Sequence, residues 1–159
     1  MNFKDVLKKR RSIRKFQDID VPDEKIREML GLANLAPSAG NRQSFRVMIV
    51  RDKKLTNIEA PVNLVICADL VESAAKYGMR GRSLYSLQDA TIFAAYLQLV
   101  IVDMGLASVW IGAFREDRIK KELGLSARLR PIAIIPLGYP AVEKSGKRKR
   151  KALDEILWT

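Results

Sequence analysis

The chain has 159 residues, of which 48% are hydrophobic and 30% are charged. This composition fits one globular domain over residues 1–159 and excludes a disordered chain. The net charge of +11 favours an anionic ligand such as a phosphate group, nucleic acid or an acidic membrane surface, without choosing among them. The chain contains no histidine, which excludes a Ser-His-Asp triad, a histidine general base and histidine metal ligands, so we expect no metal site.

The cysteine content and the apolar stretches limit where the protein works. Cys67 is the one cysteine, so no disulfide can form within the chain, and its apolar neighbours indicate a small buried side chain. The N-terminal MNFKDVLKKR lacks the apolar core of a signal peptide. The longest apolar stretch, residues 90–102, is shorter than the ~20 residues of a membrane span. We therefore expect a cytoplasmic protein without a membrane association.

The first half of the chain predicts two helices, a loop and two strands. Apolar residues at helical spacing predict a helix over 3–10 that ends near RRS, and a proline followed by two acids opens a helix over 21–36. Residues 36–44, rich in Pro, Ser, Gly and Asn, predict a loop. Alternation predicts a strand over 45–50, and the nearly continuous apolar run 61–70 predicts a strand covered on both faces.

The second half adds two helices and two strands, whereas residues 71–86 carry no clear pattern. Residues 87–105 are apolar on all sides, which is typical of a helix buried in a core or in a subunit interface. Residues 106–114 predict a strand and its exit turn, and residues 115–125 predict an amphipathic helix. Residues 130–140 predict another buried strand. This mixture with short connections predicts one α+β domain.

RRSIRKF, which begins at Arg10, is the first stretch with candidate site residues. Arginine guanidinium groups match phosphate oxygens in geometry, and the Ser12 hydroxyl adds a donor. The alternative is a solvated basic end of a helix, since cations are favoured at a helix C-terminus.

Three further stretches carry candidate residues, each with an ordinary structural alternative. PSAGNRQSF, residues 37–45, offers amide side chains around a glycine, or is a plain connection between helix and strand. GLASVWIGAF, residues 105–114, leaves backbone N–H groups free of bulky side chains, which can bond a ring heteroatom. There Trp110 is interpreted as a core residue. The basic run GKRKRK, residues 146–151, fits a solvated tail or a nucleic-acid patch as well as a ligand site.

The order of these stretches resembles the nitroreductase-like family of FMN-dependent oxidoreductases. The chain reads RRSIR, PSAGNRQ, QDA before a long apolar helix, GLASVWIG, GYP and a basic run before ALDEI, so the resemblance covers nearly its whole length. It implies an α+β fold with a central, mostly antiparallel sheet flanked by helices. It also implies an intimate homodimer with two FMN molecules at the subunit interface, and the apolar helix would form the core of that dimer.

The resemblance implies which residues bind the cofactor. The cofactor-binding set is Arg10, Arg11, Ser12, Arg14, Pro37, Ser38, Ala39, Asn41, Gln43, Ile111, Gly112, Ala113, Lys149, Arg150 and Lys151. The N-terminal cations and the tail cations would meet the FMN phosphate, within one or two positions of register in the tail. The residues of PSAGN would come from the other subunit and lie against the flavin ring and ribityl chain.

The resemblance also implies the reaction. The backbone N–H of Gly112 would lie near flavin N5, where hydride enters and leaves, and that of Ala113 near O4. Arg14 would stabilise the negative charge of reduced flavin near N1 and O2. NADH or NADPH would deliver hydride and leave, after which a nitroaromatic, quinone or similar acceptor would be reduced in a ping-pong mechanism. Phe45, Tyr77, Tyr85 and Phe93 are aromatic candidates for the acceptor slot, each with core packing as the stronger alternative.

Two alternatives remain open. The chain between FRVMIV and QDA is shorter than in typical members of that family, and residues 71–86, with Lys76, Arg80 and Arg82, are left to build a substrate channel. This difference motivates another flavin chemistry on the same fold, such as dehalogenation, flavin breakdown or azoline oxidation. The high charge and GKRKRK motivate a nucleic-acid-binding protein, although the chain lacks the interleaved aromatics of single-strand binding.

Overall fold

The computed structural model describes residues 1–53, 55–144, 146 and 148–158. One sheet of four strands runs in the order β1-β2-β4-β3. The strands are β1 (Phe45–Val50), β2 (Val62–Asp69), β3 (Ala107–Ser108) and β4 (Leu129–Gly138). Each neighbouring pair is antiparallel, which confirms the expected sheet.

Helices flank this sheet in the described part of the chain. They are α1 (Phe3–Lys9), α2 (Asp23–Ala33), α3 (Leu70–Arg80), α4 (Ser86–Asp103) and α5 (Glu116–Glu122). A π-helical turn, Gly81–Tyr85, joins α3 to α4, and short 3-10 segments occupy Ala39–Asn41 and Leu153–Glu155. The predicted α+β class is confirmed.

The central strand β2 is covered on both faces, as its continuous apolar sequence predicts. All eight of its residues are buried. One core cluster lies between the sheet and the helices α2 and α4, and a second lies under α5. Cys67 belongs to the second cluster, and burial raises the pKa of its thiol to about 11, so Cys67 is a small core residue as expected.

The predicted helical faces are also found. Ile26, Met29 and Ala33 of α2 are fully buried. Phe93 of α4 stacks on Phe45 of β1 with ring centroids 4.4 Å apart, so both rings belong to the core and not to an acceptor slot. Trp110 packs against the same cluster, in agreement with its interpretation as a core residue.

Residues 71–86, which lack a clear sequence pattern, continue as helix from the end of β2. The helical run Leu70–Asp103 is long and apolar enough by length and composition to cross a membrane. However, Gly78 (φ 55°, ψ −139°) interrupts the helical run inside α3, and α4 buries one side against the sheet. The hydropathy of α4 is therefore that of a helix packed in a protein core.

The buried carboxylate of Asp69 fixes the junction between β2 and α3. It accepts hydrogen bonds from Arg128 Nε (3.1 Å) and Nη2 (2.6 Å), and from the N–H groups of Val71 and Glu72 at the start of α3. Burial alone raises the pKa of Asp69, but these hydrogen bonds and the charges of Arg128 and Arg46 hold it below its ordinary value. Asp69 therefore stabilises the fold above its unfolded pKa of about 3.9, and this contribution is lost as pH falls through the lower folded pKa.

Residues 106–114, predicted as a strand and its exit turn, pair with β4 less regularly than a full strand would. Only Ala107–Ser108 pair with β4 as a strand, and Ile111 adds a single bridge to Ile134. Val109 also donates to the Pro136 carbonyl of β4 at 3.2 Å, and the chain leaves the sheet edge after Ile111, so the N–H groups of Gly112 and Ala113 are not used by a ladder.

Candidate functional site

The basic segment after α1 is held at the edge of the sheet. Ser12 forms a parallel bridge with Ser108 of β3, and the N–H of Ile13 donates to the Ser108 carbonyl at 3.1 Å. Because side chains alternate along an extended backbone, we expect Arg10, Ser12 and Arg14 to lie on the side opposite Ile13. Ile13 is buried, which leaves the three polar residues on the accessible side.

The C-terminal tail folds back over this segment. Lys144 Nζ donates to the Ser12 carbonyl at 2.9 Å, and the guanidinium of Arg11 donates to the Gly146 carbonyl. Arg148 donates from Nη1 to the Arg10 carbonyl and from Nη2 to the Leu7 carbonyl, both at 2.9 Å. The structure therefore brings Lys144 and Arg148 of the tail to the N-terminal cations of the candidate site.

Arg148 is the residue that the sequence reasoning missed in this cluster. The sequence interpretation placed the tail ligands at Lys149, Arg150 and Lys151, and these three side chains are exposed without a described hydrogen bond. The only sequence signal for Arg148 is its place in the basic run, where the expected register was open by one or two positions.

The cluster carries positive charge that the protein does not neutralise. Burial and the neighbouring cations Arg150, Arg10 and Arg11 lower the pKa of Arg148. Within residues 1–53, 55–144, 146 and 148–158, no carboxylate forms an ion pair with any of these four arginines. Such a cluster of cations is more stable with a dianionic phosphate group bound than without an anion.

Asp89 of α4 positions the 37–44 loop. One of its oxygens accepts from the N–H of Ala39 at 2.8 Å and the other from the N–H of Ser44 at 3.4 Å. The Ser38 hydroxyl accepts from the N–H of Gln43 at 2.9 Å. Asn41 (φ 54°) and Gln43 (φ 49°) are left-handed, a conformation that non-glycine residues adopt at a cost.

Helix α3 closes the other side of this loop. A Cβ atom on Gly40 would approach Lys76 Nζ to 2.7 Å and would overlap the Tyr77 hydroxyl, but these are the ends of flexible side chains that can move aside, so the φ of 53° is what favours glycine there. Lys76 lies over the Tyr77 ring, and Arg80 Nε donates to the Tyr85 hydroxyl at 3.0 Å. Residues 71–86 therefore support the loop that carries Pro37, Ser38 and Asn41.

The stretch after β3 presents free backbone donors. Ile111 exchanges hydrogen bonds with Ile134, whereas Gly112 and Ala113 are exposed. No described residue accepts a hydrogen bond from the N–H of Gly112 or of Ala113. Two adjacent unpaired N–H groups can bind two acceptor atoms on one edge of a planar ring.

Two cavities share one face of α4. A cavity of about 270 Å³ lies at Gly112, and one of about 580 Å³ lies at Pro37, Ser38 and Ala39. Leu87 and Thr91 line both, so the two cavities are neighbours on α4, and we refer to them together as the groove. This groove is of a size and polarity suited to a flat organic ring. Among the described residues, no group of three His, Cys, Asp or Glu side chains is arranged to hold a metal ion.

The sequence also matches known proteins. The Nitroreductase family profile matches residues 7–59 and 57–139. An Archaeoglobus fulgidus protein with the provisional name NADH dehydrogenase/NAD(P)H nitroreductase is 34% identical over 151 residues, which cover 85% of this chain and 83% of that protein. An FMN reductase of Bacillus subtilis is 27% identical, over 88% of this chain and 66% of that protein. An iodotyrosine deiodinase of Thermotoga neapolitana is 28% identical, over 86% of this chain and 87% of that protein.

Solved structures show the same fold over the whole chain. A nitroreductase family protein of Clostridium difficile 630 superposes with a TM-score of 0.87 at 34% identity, covering 99% of this chain and 98% of that one. A Nitroreductase Family Protein of Streptococcus pneumoniae TIGR4 superposes with a TM-score of 0.88 at 26% identity, covering 99% of this chain and all of that one.

Proposed function

Because this chain belongs to the nitroreductase family, we propose that it is an FMN-dependent oxidoreductase that takes hydride from NADH or NADPH and passes it to a nitroaromatic, quinone or similar acceptor. The observation that carries this proposal is the uncompensated arginine cluster around Arg10 and Arg148. A phosphate group supplies the negative charge that the described carboxylates do not. An FMN reductase among the relatives supports a flavin ligand for this site.

This chain has residues suited to bind both the phosphate and the ring of FMN. Arg10 and Ser12, with the tail cations Lys149, Arg150 and Lys151, bind the phosphate, and Arg11 lies beside them. The unpaired N–H groups of Gly112 and Ala113 bind the edge of the ring. FMN, when bound, supplies the two-electron chemistry that no side chain of this histidine-free protein can provide.

The protein's own groups then orient the ring and adjust its charge. Arg14, on the accessible side of the basic segment, contributes positive charge that favours the reduced, anionic ring. The N–H of Gly112 would hold the edge of the ring at which hydride is transferred. We expect ping-pong kinetics, with the hydride donor leaving the groove beside Leu87 and Thr91 before the acceptor enters it.

We propose that the protein is a cytoplasmic homodimer whose interface includes the accessible face of α4. Thr91, Ala95, Leu99 and Val102 recur along one side of this helix at spacings of three and four residues. Thr91 and Ala95 are exposed, and the other two are partly exposed. In such a dimer, residues 37–43 of one protomer would lie against the flavin that the other protomer holds.

A reductive dehalogenase is the second candidate function, because an iodotyrosine deiodinase is among the relatives. It uses the same fold and flavin with a different acceptor. Steady oxidation of NAD(P)H with a nitroaromatic, without release of iodide from iodotyrosine in a parallel assay, would support the first function. Iodide release without nitroaromatic turnover would support the second.

The cofactor assignment is tested with the double variant Arg10→Ala/Arg14→Ala. We expect wild-type protein to purify with flavin absorption bands and to release FMN that mass spectrometry identifies. The double variant should bind FMN at least tenfold more weakly, since each lost charge-assisted hydrogen bond contributes about 1.5–3 kcal/mol. Circular dichroism should show an unchanged fold.

The matched control is Arg27→Ala/Lys121→Ala, which removes two exposed cations that have no described hydrogen bond or ion pair. It lowers the net charge equally and should keep its flavin. Flavin at wild-type occupancy in Arg10→Ala/Arg14→Ala would show that the phosphate assignment is wrong.

A further inference from the structure

We propose that Arg148 is a positioning residue that fastens the C-terminal tail to the end of α1 and thereby assembles the phosphate-binding cations. This inference rests on the proposed function, since the ligand of the cluster is the FMN phosphate. It adds a residue whose side chain acts through the backbone and not through the cofactor.

The side chain of Arg148 links the tail to the C-terminal end of α1 by hydrogen bonds. Its two terminal nitrogens donate to the carbonyls of Leu7 and Arg10, each at 2.9 Å. α1 spans Phe3–Lys9 and Arg10 is its C-cap, so these carbonyls belong to the last turn, where backbone acceptors lack helical partners. A guanidinium with two parallel donors satisfies both acceptors and lies at the negative end of the helix.

Two further contacts make the attachment reciprocal. Lys144 of the tail donates to the Ser12 carbonyl, and Arg11 of the basic segment donates to the Gly146 carbonyl. The tail is thus fixed to the segment at three separate places. Each attachment uses a cation and a backbone carbonyl, so the side chains of Arg10, Ser12 and Arg14 remain unengaged by the tail in the described structure.

The attachment brings like charges together. Arg150 and Arg10 are close enough to Arg148 to lower its pKa. Fastening the tail at Arg148 therefore sets Arg150 on the tail and Arg10 on the segment around the same space. This geometry costs electrostatic free energy in the absence of an anion, and it prepares a site for a phosphate that requires donors from both.

The test compares full-length wild type, Arg148→Ala, Arg148→Lys and the control Arg27→Ala. Tail attachment is measured after flavin removal by cleavage at Glu143 with a glutamate-specific protease, detected as release of residues 144–159. Glu143 is exposed, and none of the substitutions alters the cleavage sequence. Binding of FMN and of riboflavin, which has the same ring without the phosphate, is measured by fluorescence quenching.

We expect Arg148→Ala to be cleaved about tenfold faster and to bind FMN about tenfold more weakly, because it loses two charge-assisted hydrogen bonds. Riboflavin affinity should not change, since the ring contacts lie elsewhere. Arg148→Lys should recover part of both effects, as an ammonium group donates to the same carbonyls without the planar fork. Arg27→Ala should behave as wild type.

Three outcomes overturn the proposal. Unchanged cleavage of Arg148→Ala means that the tail is not fastened by this residue, even if FMN affinity falls. Equal weakening of FMN and riboflavin means a general disturbance of the fold. Faster cleavage with unchanged FMN affinity means that tail attachment does not assemble the phosphate site. If wild type binds neither flavin, the proposed function fails, and the cleavage rates alone decide whether Arg148 fastens the tail.

Discussion

Asp89 joins the long helix to the loop that carries Pro37, Ser38 and Asn41. Its buried carboxylate accepts from the N–H groups of Ala39 and Ser44, and a carboxylate is the side chain that accepts two such bonds without presenting a donor. The short motif QDA thereby acquires a structural role. Asp89 holds the loop in a conformation with two left-handed non-glycine residues.

Asp89→Asn is expected to destabilise the protein by about 2 kcal/mol, because the new amide places a donor against a backbone N–H and leaves a buried group unsatisfied. Urea unfolding measures this change, and amide hydrogen exchange should show faster opening of residues 37–44. The neighbouring exposed substitution Gln88→Ala serves as the control. Wild-type exchange in the loop of Asp89→Asn would contradict this role.

At the residue scale, the sequence predicted a side chain's role correctly where that role follows from its neighbours along the chain. Cys67 sits in a continuous apolar run and is buried as that run predicts. Arg148 was missed because its acceptors are backbone carbonyls more than 130 positions away, and such acceptors leave no mark in residue type. The roles of Gly112 and Arg14 stay predictions.

At the scale of elements, the connection from α3 to α4 depends on a close approach between the backbones of Gly81 and Ser73. A Cβ atom on Gly81, which opens the π-helical turn, would overlap the Ser73 carbonyl oxygen and lie 2.7 Å from its carbon. Gly78, with its non-helical backbone angles, places a kink between Ser73 and Gly81. Backbone atoms cannot move aside as a flexible side chain does, so the position accepts only glycine.

Gly81→Ala is expected to destabilise the protein by at least ~2 kcal/mol through this overlap. Gly31→Ala is the matched control, since Gly31 lies in α2 with nothing within 4 Å of an added Cβ, and alanine there should stabilise the fold by about 0.5–1 kcal/mol. Thermal unfolding of both variants checks the opposite signs. Equal effects would mean that the approach to Ser73 is not a constraint.

Elements with a regular period were predictable and the irregular ones were not. Helix α2 and strand β2 follow their apolar patterns, and the structure agrees to within a few residues. Residues 71–86 escaped prediction because a kink and a π-helical turn break the 3.6-residue period. Within residues 106–114 the regular strand is shorter than predicted, because only Ala107 and Ser108 pair continuously with β4 and Ile111 adds an isolated bridge.

At the scale of the whole molecule, α4 belongs to the core on one side and is accessible on the other. Phe93 and Leu97 are buried under the sheet, whereas Tyr96 remains 42% exposed. A helix that is apolar on both sides has a second surface to cover, which supports the proposed dimer.

Ala95→Glu is expected to shift the protein from dimer to monomer, because an unpaired carboxylate in an apolar interface is costly. Flavin should be lost together with the dimer, since each site is proposed to use residues of both protomers. Sedimentation velocity and flavin absorbance measure the two effects. Lys121→Glu on exposed α5 should change neither. A dimeric Ala95→Glu protein would remove this face from the interface.

The family and sheet type were predictable for the whole molecule because they follow from the order of several stretches along nearly the entire chain. How the two ends of the chain meet did not follow from that order. The bridge between Ser12 and Ser108 and the tail crossing the end of α1 are tertiary contacts between distant segments. Neither has a local pattern that sequence periodicity detects.

The buried thiol of Cys67 has a consequence for the lifetime of a working enzyme. Quinones and partly reduced nitroaromatics are electrophiles that alkylate thiolates, and the proposed reaction would expose the protein to them in every turnover. With a pKa of about 11 and a place in the core, Cys67 is neither ionised nor reachable at neutral pH. The chain has no histidine to offer as a second soft nucleophile. The protein therefore presents neither an ionised thiol nor an imidazole to the compounds that it is proposed to handle.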